Sequence, residues 1–117
     1  MSLNLEKYQA LATLLEQVRC DTTSTPVTAP HLRKGVSLLQ QMFRQQIVPL
    51  PAENSRVQSY RTEISKQLRL LEIDVMFLQG SRQASTAEGR LKTISDRLTT
   101  LIQYCEAILQ QEPEEEK

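Results

Sequence analysis

The chain has 117 residues, with 14 basic against 14 acidic side chains, 39% hydrophobic residues and 4% aromatic residues. Its length is typical of one domain, and its hydrophobic content excludes a wholly disordered protein. Because there is no Trp and there are only three glycines, the composition favours helices with a core of Leu, Ile and Val over a turn-rich β fold.

The charges are unevenly distributed along the chain. Residues 31–100 carry 11 Lys or Arg and six Asp or Glu, a net charge of +5, whereas residues 112–117 carry four Glu and one Lys, a net charge of −3. We interpret most of this charge as the solvated side of helices, although a mildly basic body would attract an acidic partner.

No segment approaches the roughly 18 uninterrupted apolar residues of a transmembrane helix. Residues 1–7 also lack the basic-then-apolar pattern of a secretory signal. The sequence therefore predicts a cytoplasmic protein without membrane contact. Cys20 and Cys105 agree with a reducing compartment, and they lie at opposite ends of the fold that we predict below, so we expect two thiols.

The first predicted helix runs from about Leu3 to Cys20, and a polar stretch that contains Pro follows it. The second begins after Thr28 as N-cap, with Pro30 in its first turn, and ends before Pro49. The apolar positions of the first helix are Leu5, Tyr8, Leu11, Ala12, Leu15 and Val18, and those of the second are Leu32, Val36, Leu39, Phe43 and Ile47.

The third predicted helix starts near Asn54 or Ser55 and runs to Gln79. Gly80 follows, and we expect it to adopt the left-handed conformation that closes many helices. Apart from Arg61, one side of this helix is apolar in heptad spacing. Its members are Val57, Ile64, Leu68, Leu71, Val75 and Leu78.

The fourth predicted helix opens with a capping box from Ser85 to Glu88 and continues to about Gln111. Its apolar positions alternate in steps of four and three, which is typical of a helix that packs lengthwise on another helix. They are Ala87, Leu91, Ile94, Leu98, Leu101, Cys105 and Ile108.

Four amphipathic helices with short connections indicate an all-α fold. We predict an antiparallel up-down four-helix bundle with two long C-terminal helices, which form a hairpin. Residues 1–111 would make up this single four-helix domain, and residues 112–117 would be an acidic disordered tail.

The C-terminal half of the third helix is apolar on two sides. We call the heptad-spaced apolar residues of this helix its seam. At 100° per residue, Leu70, Ile73 and Phe77 lie about 120–180° around the helix from this seam. One interpretation is that this helix is the most buried of the four and contacts two neighbours. The other is a partly exposed patch for a second subunit or a partner protein. With Lys66 and Arg69 as its charged rim, this patch is the candidate protein-binding site.

Few residues in this sequence are suited to reaction chemistry. His31 is the one histidine, so a Cys–His or Ser–His–Asp apparatus would depend on it alone. Two cysteines and one histidine at unrelated spacings do not make a zinc site, and no glycine-rich phosphate loop is present. We therefore predict a protein that is not an enzyme and holds no cofactor or metal.

One segment is similar to the motif of histidine phosphotransfer domains, which are also four-helix bundles. His31 is followed by Lys34 and Gly35, which would neutralise a phosphoryl group and leave room beside the imidazole. Two departures count against this alternative. Pro30 places His31 in the first turn of its helix, whereas that family has it well inside a helix. Residues 36–38 also do not form the run of small residues usual in that family.

Nucleic-acid binding is not indicated. No predicted helix carries a continuous basic stripe, and the sequence offers only five Tyr and Phe side chains as stacking platforms.

The third and fourth predicted helices resemble the cyanobacterial heterocyst frequency control family, PatD. The resemblance is carried by residues 56–71, 74–79, 95–98 and 104–106, and it covers mainly residues 56–109. It implies a small non-enzymatic regulator of how many cells of a cyanobacterial filament become nitrogen-fixing heterocysts, with a link to the division-ring protein FtsZ. The resemblance assigns no functional role to any residue.

Together, these observations predict a regulator that acts by binding other proteins through the third helix. The preferred contact residues are Lys66, Arg69, Leu70, Ile73 and Phe77. A phosphotransfer domain that uses His31 is the alternative, and a purely structural homodimer is a third possibility.

Overall fold

The computed structural model describes residues 3–23, 28–51 and 54–110, and within these ranges it contains four α-helices and no strand. The all-α prediction is therefore confirmed. The elements are α1 (Leu3–Asp21), α2 (Ala29–Met42), a π-helical turn (Phe43–Ile47), α3 (Ser55–Gly80) and α4 (Ala84–Leu109). The predicted tail lies outside the described residues.

The four helices form a bundle around one apolar core. Both α1 and α3 pack against α2 and α4. The predicted apolar positions of α1 and α2 are buried, except that Leu5 is half-buried. Burial of these aliphatic side chains is the main stabilising contribution, because each one removed from water contributes about 1.5–3 kcal/mol.

The seam between α3 and α4 is buried along most, but not all, of its predicted length. Its buried members run from Val57 to Val75 on α3 and from Ile94 to Ile108 on α4. The three predicted members nearest the connection between the helices are only half-buried, and they are Leu78, Ala87 and Leu91. No residue from 76 to 93 is buried, so the core ends before the helices do.

The predicted N-cap of α2 and the predicted start of α3 are confirmed. The Thr28 side chain accepts a hydrogen bond from the His31 amide at 3.2 Å, and the Asn54 side chain accepts one from the Val57 amide at 2.9 Å. Each bond satisfies one of the backbone donors that the first turn of a helix leaves without a partner.

The prediction for the end of α3 is wrong. Gly80 has no positive φ and belongs to the helix, and Ser81 follows it with a φ of −74° and a ψ of 133°. The Ser81 hydroxyl donates to the Phe77 carbonyl at 2.9 Å, and its amide donates to the Leu78 carbonyl at 3.0 Å. Since serine satisfies these terminal carbonyls, α3 ends without a left-handed residue.

The predicted start of α4 is also wrong. The helix begins at Ala84, with Gln83 as an N-cap that makes no side-chain hydrogen bond. Ser85 therefore already lies inside the first turn, where it does not cap the helix. At the other end α4 stops at Leu109, slightly before the predicted boundary, and Gln110 is the C-cap.

A π-helical turn, which was not predicted from the sequence, follows α2. The Val48 amide donates to the Phe43 carbonyl at 3.0 Å, a bond that spans five residues. Pro49 follows directly, and a proline ring disfavours an ordinary helical turn before it. The wider turn keeps both Phe43 and Ile47 buried while the chain leaves the helix.

Arg61, the one charged residue in the α3 seam, joins α3 to the segment after the π-helical turn. It is 9% exposed, and its guanidinium donates to the Leu50 carbonyl at 2.8 Å and to the Val48 carbonyl at 2.9 Å. A planar guanidinium suits this task because its donors reach two acceptors at once.

A second polar contact connects α3 with α4. Asp74 is 6% exposed, and its carboxylate accepts a hydrogen bond from Arg97 Nε at 2.6 Å. The same guanidinium donates to Gln67 at 2.8 Å. The pair fixes the two long helices beside their apolar seam.

Both cysteines are thiols, as predicted, with Cys20 exposed and Cys105 buried. In the described part of the chain, no helix combines the length and apolar character that crossing a bilayer requires.

Candidate protein-interaction surface

The outer side of α3 carries three large apolar side chains that the bundle does not cover. Ile73 is 39% exposed, Met76 is 59% exposed and Phe77 is 52% exposed. Helical geometry explains this placement, because Ile73 and Phe77 lie about 140–180° around the helix from the buried Leu68. Exposed large apolar groups close together on one helix are typical of an interaction surface.

The five predicted binding residues share this side of α3. Lys66 and Arg69 are exposed like Ile73 and Phe77, and Leu70 is half-buried. As the internal interpretation required, α3 does contact two neighbours, α2 and α4. These neighbours nevertheless leave Ile73 and Phe77 in contact with solvent.

Two cations border the exposed apolar side chains in different ways. The Arg90 guanidinium of α4 lies over the Phe77 ring, 4.5 Å from its centroid, so a cation–π contact orients the ring. Lys66 forms an ion pair with Glu63 at 3.5 Å.

A groove between α2 and α3, which was not predicted from the sequence, adjoins this surface. It consists of two depressions of about 720 and 700 Å³ that share Gln40, Glu72 and Met76. Ile73 lines the groove from α3, and Val48, which is 50% exposed, lines it beyond the end of α2. We call this feature the α2/α3 groove.

The α2/α3 groove is positively charged. Arg33, Lys34, Arg44 and Arg69 line it with a single acidic residue, Glu72, so four positive charges against one negative charge give a net of +3. Among the described residues, none of these four cations forms an ion pair. A signal for this charge was present in the sequence, since residues 29–47 contain three Lys or Arg and no Asp or Glu.

The structure places His31 in the first turn of α2, as predicted. Its ring Nε2 lies 3.1 Å from a carboxylate oxygen of Asp21, and the side chain is 62% exposed. Gly35 lies where α1 and α2 meet. A Cβ at Gly35 would lie 3.1 Å from Val18 Cγ2, so the glycine allows α1 and α2 to approach closely.

In the described part of the chain, no three His, Cys, Asp or Glu side chains come together as the ligands of a metal ion would.

Comparisons of the chain with protein-family models, curated proteins and solved structures give no match. The resemblance to the PatD family therefore stays a prediction from the residues.

Proposed function

We propose that this chain is a non-enzymatic regulatory module that acts by binding another protein through the outer side of α3. The observation that carries the proposal is the exposure of Ile73 and Phe77 on a helix whose opposite side is buried. A helix held in this way presents apolar groups with little loss of conformational entropy on binding, which favours affinity. Lys66 and Arg69 would form the polar rim that such interfaces have.

The proposal includes the direction of the helices, an antiparallel up-down bundle. Three side-chain contacts support it. Lys7 near the start of α1 donates to Gln46 in the π-helical turn, and Arg33 near the start of α2 donates to Gln79 near the end of α3. The Tyr60 and Tyr104 rings, near the start of α3 and the end of α4, lie 5.8 Å apart.

We further propose that the regulated process is the one implied by the PatD resemblance, heterocyst frequency in a filamentous cyanobacterium. FtsZ is then the candidate partner, and the cytoplasm is the compartment in which the two would meet. The resemblance of residues 56–109 supports this part of the proposal.

Phe77→Glu tests the surface. Because Phe77 is half exposed, the variant should keep the helical circular dichroism of the wild type. A charge at the centre of an apolar contact should weaken FtsZ binding at least tenfold, about 1.4 kcal/mol or more. Titration of labelled chain with purified FtsZ measures the affinity, and light scattering measures self-association.

Leu38→Glu is the matched control, because Leu38 is 47% exposed on α2 but does not line the groove. Equal affinity of Phe77→Glu and wild type for FtsZ would contradict the proposed surface. Unfolding of Phe77→Glu alone would favour the internal interpretation. A dimer that only Phe77→Glu disrupts, without any FtsZ binding, would support a structural homodimer.

A further inference from the structure

We propose that the α2/α3 groove binds an acidic amphipathic helix supplied by the partner protein. This inference rests on the proposed function and deepens it, because it names the chemistry of the partner segment. It also extends the contact surface from the outer side of α3 to α2.

The groove has the length and lining that a short helix needs. From Arg33 to Arg44 it follows 12 residues of α2 and the π-helical turn, which corresponds to about 17 Å, or three helical turns. Ile73, Met76 and Val48 offer exposed apolar groups along it. A helix that places its apolar side in a groove between two others is a common mode of recognition, and methionine adapts well to such contacts.

The charges specify which kind of helix fits. Arg33 and Lys34 lie on α2, Arg44 lies in the π-helical turn after it, and Arg69 lies on α3. Cations therefore border the groove from both sides. The one acidic lining residue, Glu72, already accepts a hydrogen bond from Gln40 at 3.2 Å. Glu or Asp side chains beside the apolar stripe of a partner helix would complement these cations, whereas Lys or Arg would be repelled.

The same charges disfavour a second copy of this chain as the occupant through its own α2. That helix and the π-helical turn after it carry three basic and no acidic residues, so two such segments would repel each other. The groove lining contains no exposed aromatic side chain, which disfavours single-stranded nucleic acid.

The test uses the full chain and two synthetic peptides. Both peptides are three-turn amphipathic helices with a Leu stripe. One carries Glu at every flanking position, and the other carries Lys. Fluorescence anisotropy should show that the Glu peptide binds at least tenfold more tightly than the Lys peptide, and that added salt weakens its binding. Backbone NMR shifts on addition of the Glu peptide should concentrate along α2 and on residues 65–80.

Charge reversal then locates the site. Arg44→Glu with Arg69→Glu should weaken Glu-peptide binding at least tenfold. Arg56→Glu with Arg82→Glu is the matched control, because it changes the net charge equally at exposed positions outside the groove. The control pair should change the affinity less than threefold, and both double variants should retain wild-type circular dichroism.

Several outcomes would overturn the inference. They are no binding of the Glu peptide, equal binding of both peptides, equal loss in the two double variants, or NMR shifts centred on α1 and α4. A concentration-dependent dimer that only Arg44→Glu with Arg69→Glu disrupts would assign the groove to a second copy. A further variant replaces the four Glu of residues 112–117 by Gln. If this variant binds the Glu peptide tenfold more tightly, the acidic residues 112–117 of the chain itself are the occupant of the groove.

Failure of this inference is distinguishable from failure of the proposed function. If the peptides do not bind while Phe77→Glu still weakens FtsZ binding at least tenfold, the outer side of α3 acts without the groove. If the peptides bind as expected while Phe77→Glu leaves FtsZ binding unchanged, the groove is a site for an acidic helix and the proposed contact with FtsZ is wrong.

Discussion

Cys105 occupies a position in the α4 seam that heptad spacing reserves for an apolar side chain. Burial raises the pKa of its thiol to about 12, and the nearby charge of Glu106 adds to the shift. In the folded protein the side chain therefore stays a neutral thiol at physiological pH and behaves as a small apolar group. Cys20, which is exposed, has no such protection from solvent.

The pKa of Cys105 predicts how stability depends on alkaline pH. In the unfolded chain this thiol ionises near the ordinary cysteine pKa of 9.0, whereas in the folded chain it stays protonated until about 12. The neutral form is therefore favoured by folding. This contribution to the free energy of unfolding is fully present below pH 9. It decreases above pH 9, on the order of 1 kcal/mol per pH unit, because only the unfolded chain then releases the proton.

Urea unfolding at pH 8 and pH 10 checks this prediction. Cys105→Ala is the control, because it lacks the ionisable group and should lose less stability than the wild type over the same interval. A thiol reagent at pH 8 should label Cys20 but not Cys105 in the folded chain. Rapid native labelling of both thiols would show that Cys105 is not buried as described.

Among the contacts between elements, the hydrogen bonds of Arg61 join α3 to the segment after the π-helical turn. From the sequence, Arg61 was identified only as the charged residue that interrupts the heptad pattern of the apolar seam. The pattern does not reveal the two carbonyls that it binds, those of Val48 and Leu50, because they belong to a segment before α3.

Arg61→Met should destabilise the fold by about 2–3 kcal/mol, because hydrogen bonds from a charged donor contribute about 1.5–3 kcal/mol and two carbonyls would lose theirs. Methionine keeps most of the side-chain volume, so the effect is not that of a cavity. Arg56→Met, at an exposed position in the first turn of α3, should change the free energy of unfolding by less than about 0.5 kcal/mol. Chemical denaturation measures both variants, and similar values for the two would contradict the structural role of Arg61.

Periodicity predicted the helices themselves and most of their buried positions, because burial in a bundle repeats every three or four residues. The ends were harder to predict. Gly80 and Ser85 each fit a frequent capping pattern, but Ser81 satisfies the last carbonyls of α3, and α4 starts one residue before Ser85. Several neighbouring residues were able to cap each helix end, so the local sequence alone did not determine the boundary.

In the molecule as a whole, α3 and α4 extend beyond the apolar core. We therefore expect local stability to differ along these helices. Residues 88–93 of α4 contain no buried side chain, whereas Leu98, Leu101 and Cys105 of the same helix are almost fully buried. Opening the first stretch exposes little apolar surface, so it should need less free energy than opening the second.

Native-state hydrogen exchange measures this difference. We expect the amides of residues 88–93 to exchange at least about 100-fold faster than those of residues 98–105, a difference of about 2.7 kcal/mol or more in opening free energy. Both stretches lie in one helix, so each is the control for the other. Equal protection would indicate that the connection between α3 and α4 is held as firmly as the core.

Only the part of the candidate surface that lies on a single helix was predictable from the sequence. Ile73 and Phe77 share a side of one helix, so the helical repeat alone places them opposite the core. The α2/α3 groove needs the relative position of two helices that are separated in sequence, so Arg44 and Arg69 had no visible relation before the fold was known.

Substitutions on the two sides of α3 have different consequences. Substitutions at buried positions such as Leu71 change the stability of the whole fold, whereas substitutions at Ile73 or Phe77 change an exposed surface and, under the proposed function, the choice of partner. A lineage could therefore exchange one partner for another by a few changes on the outer side, without first acquiring compensating changes in the core.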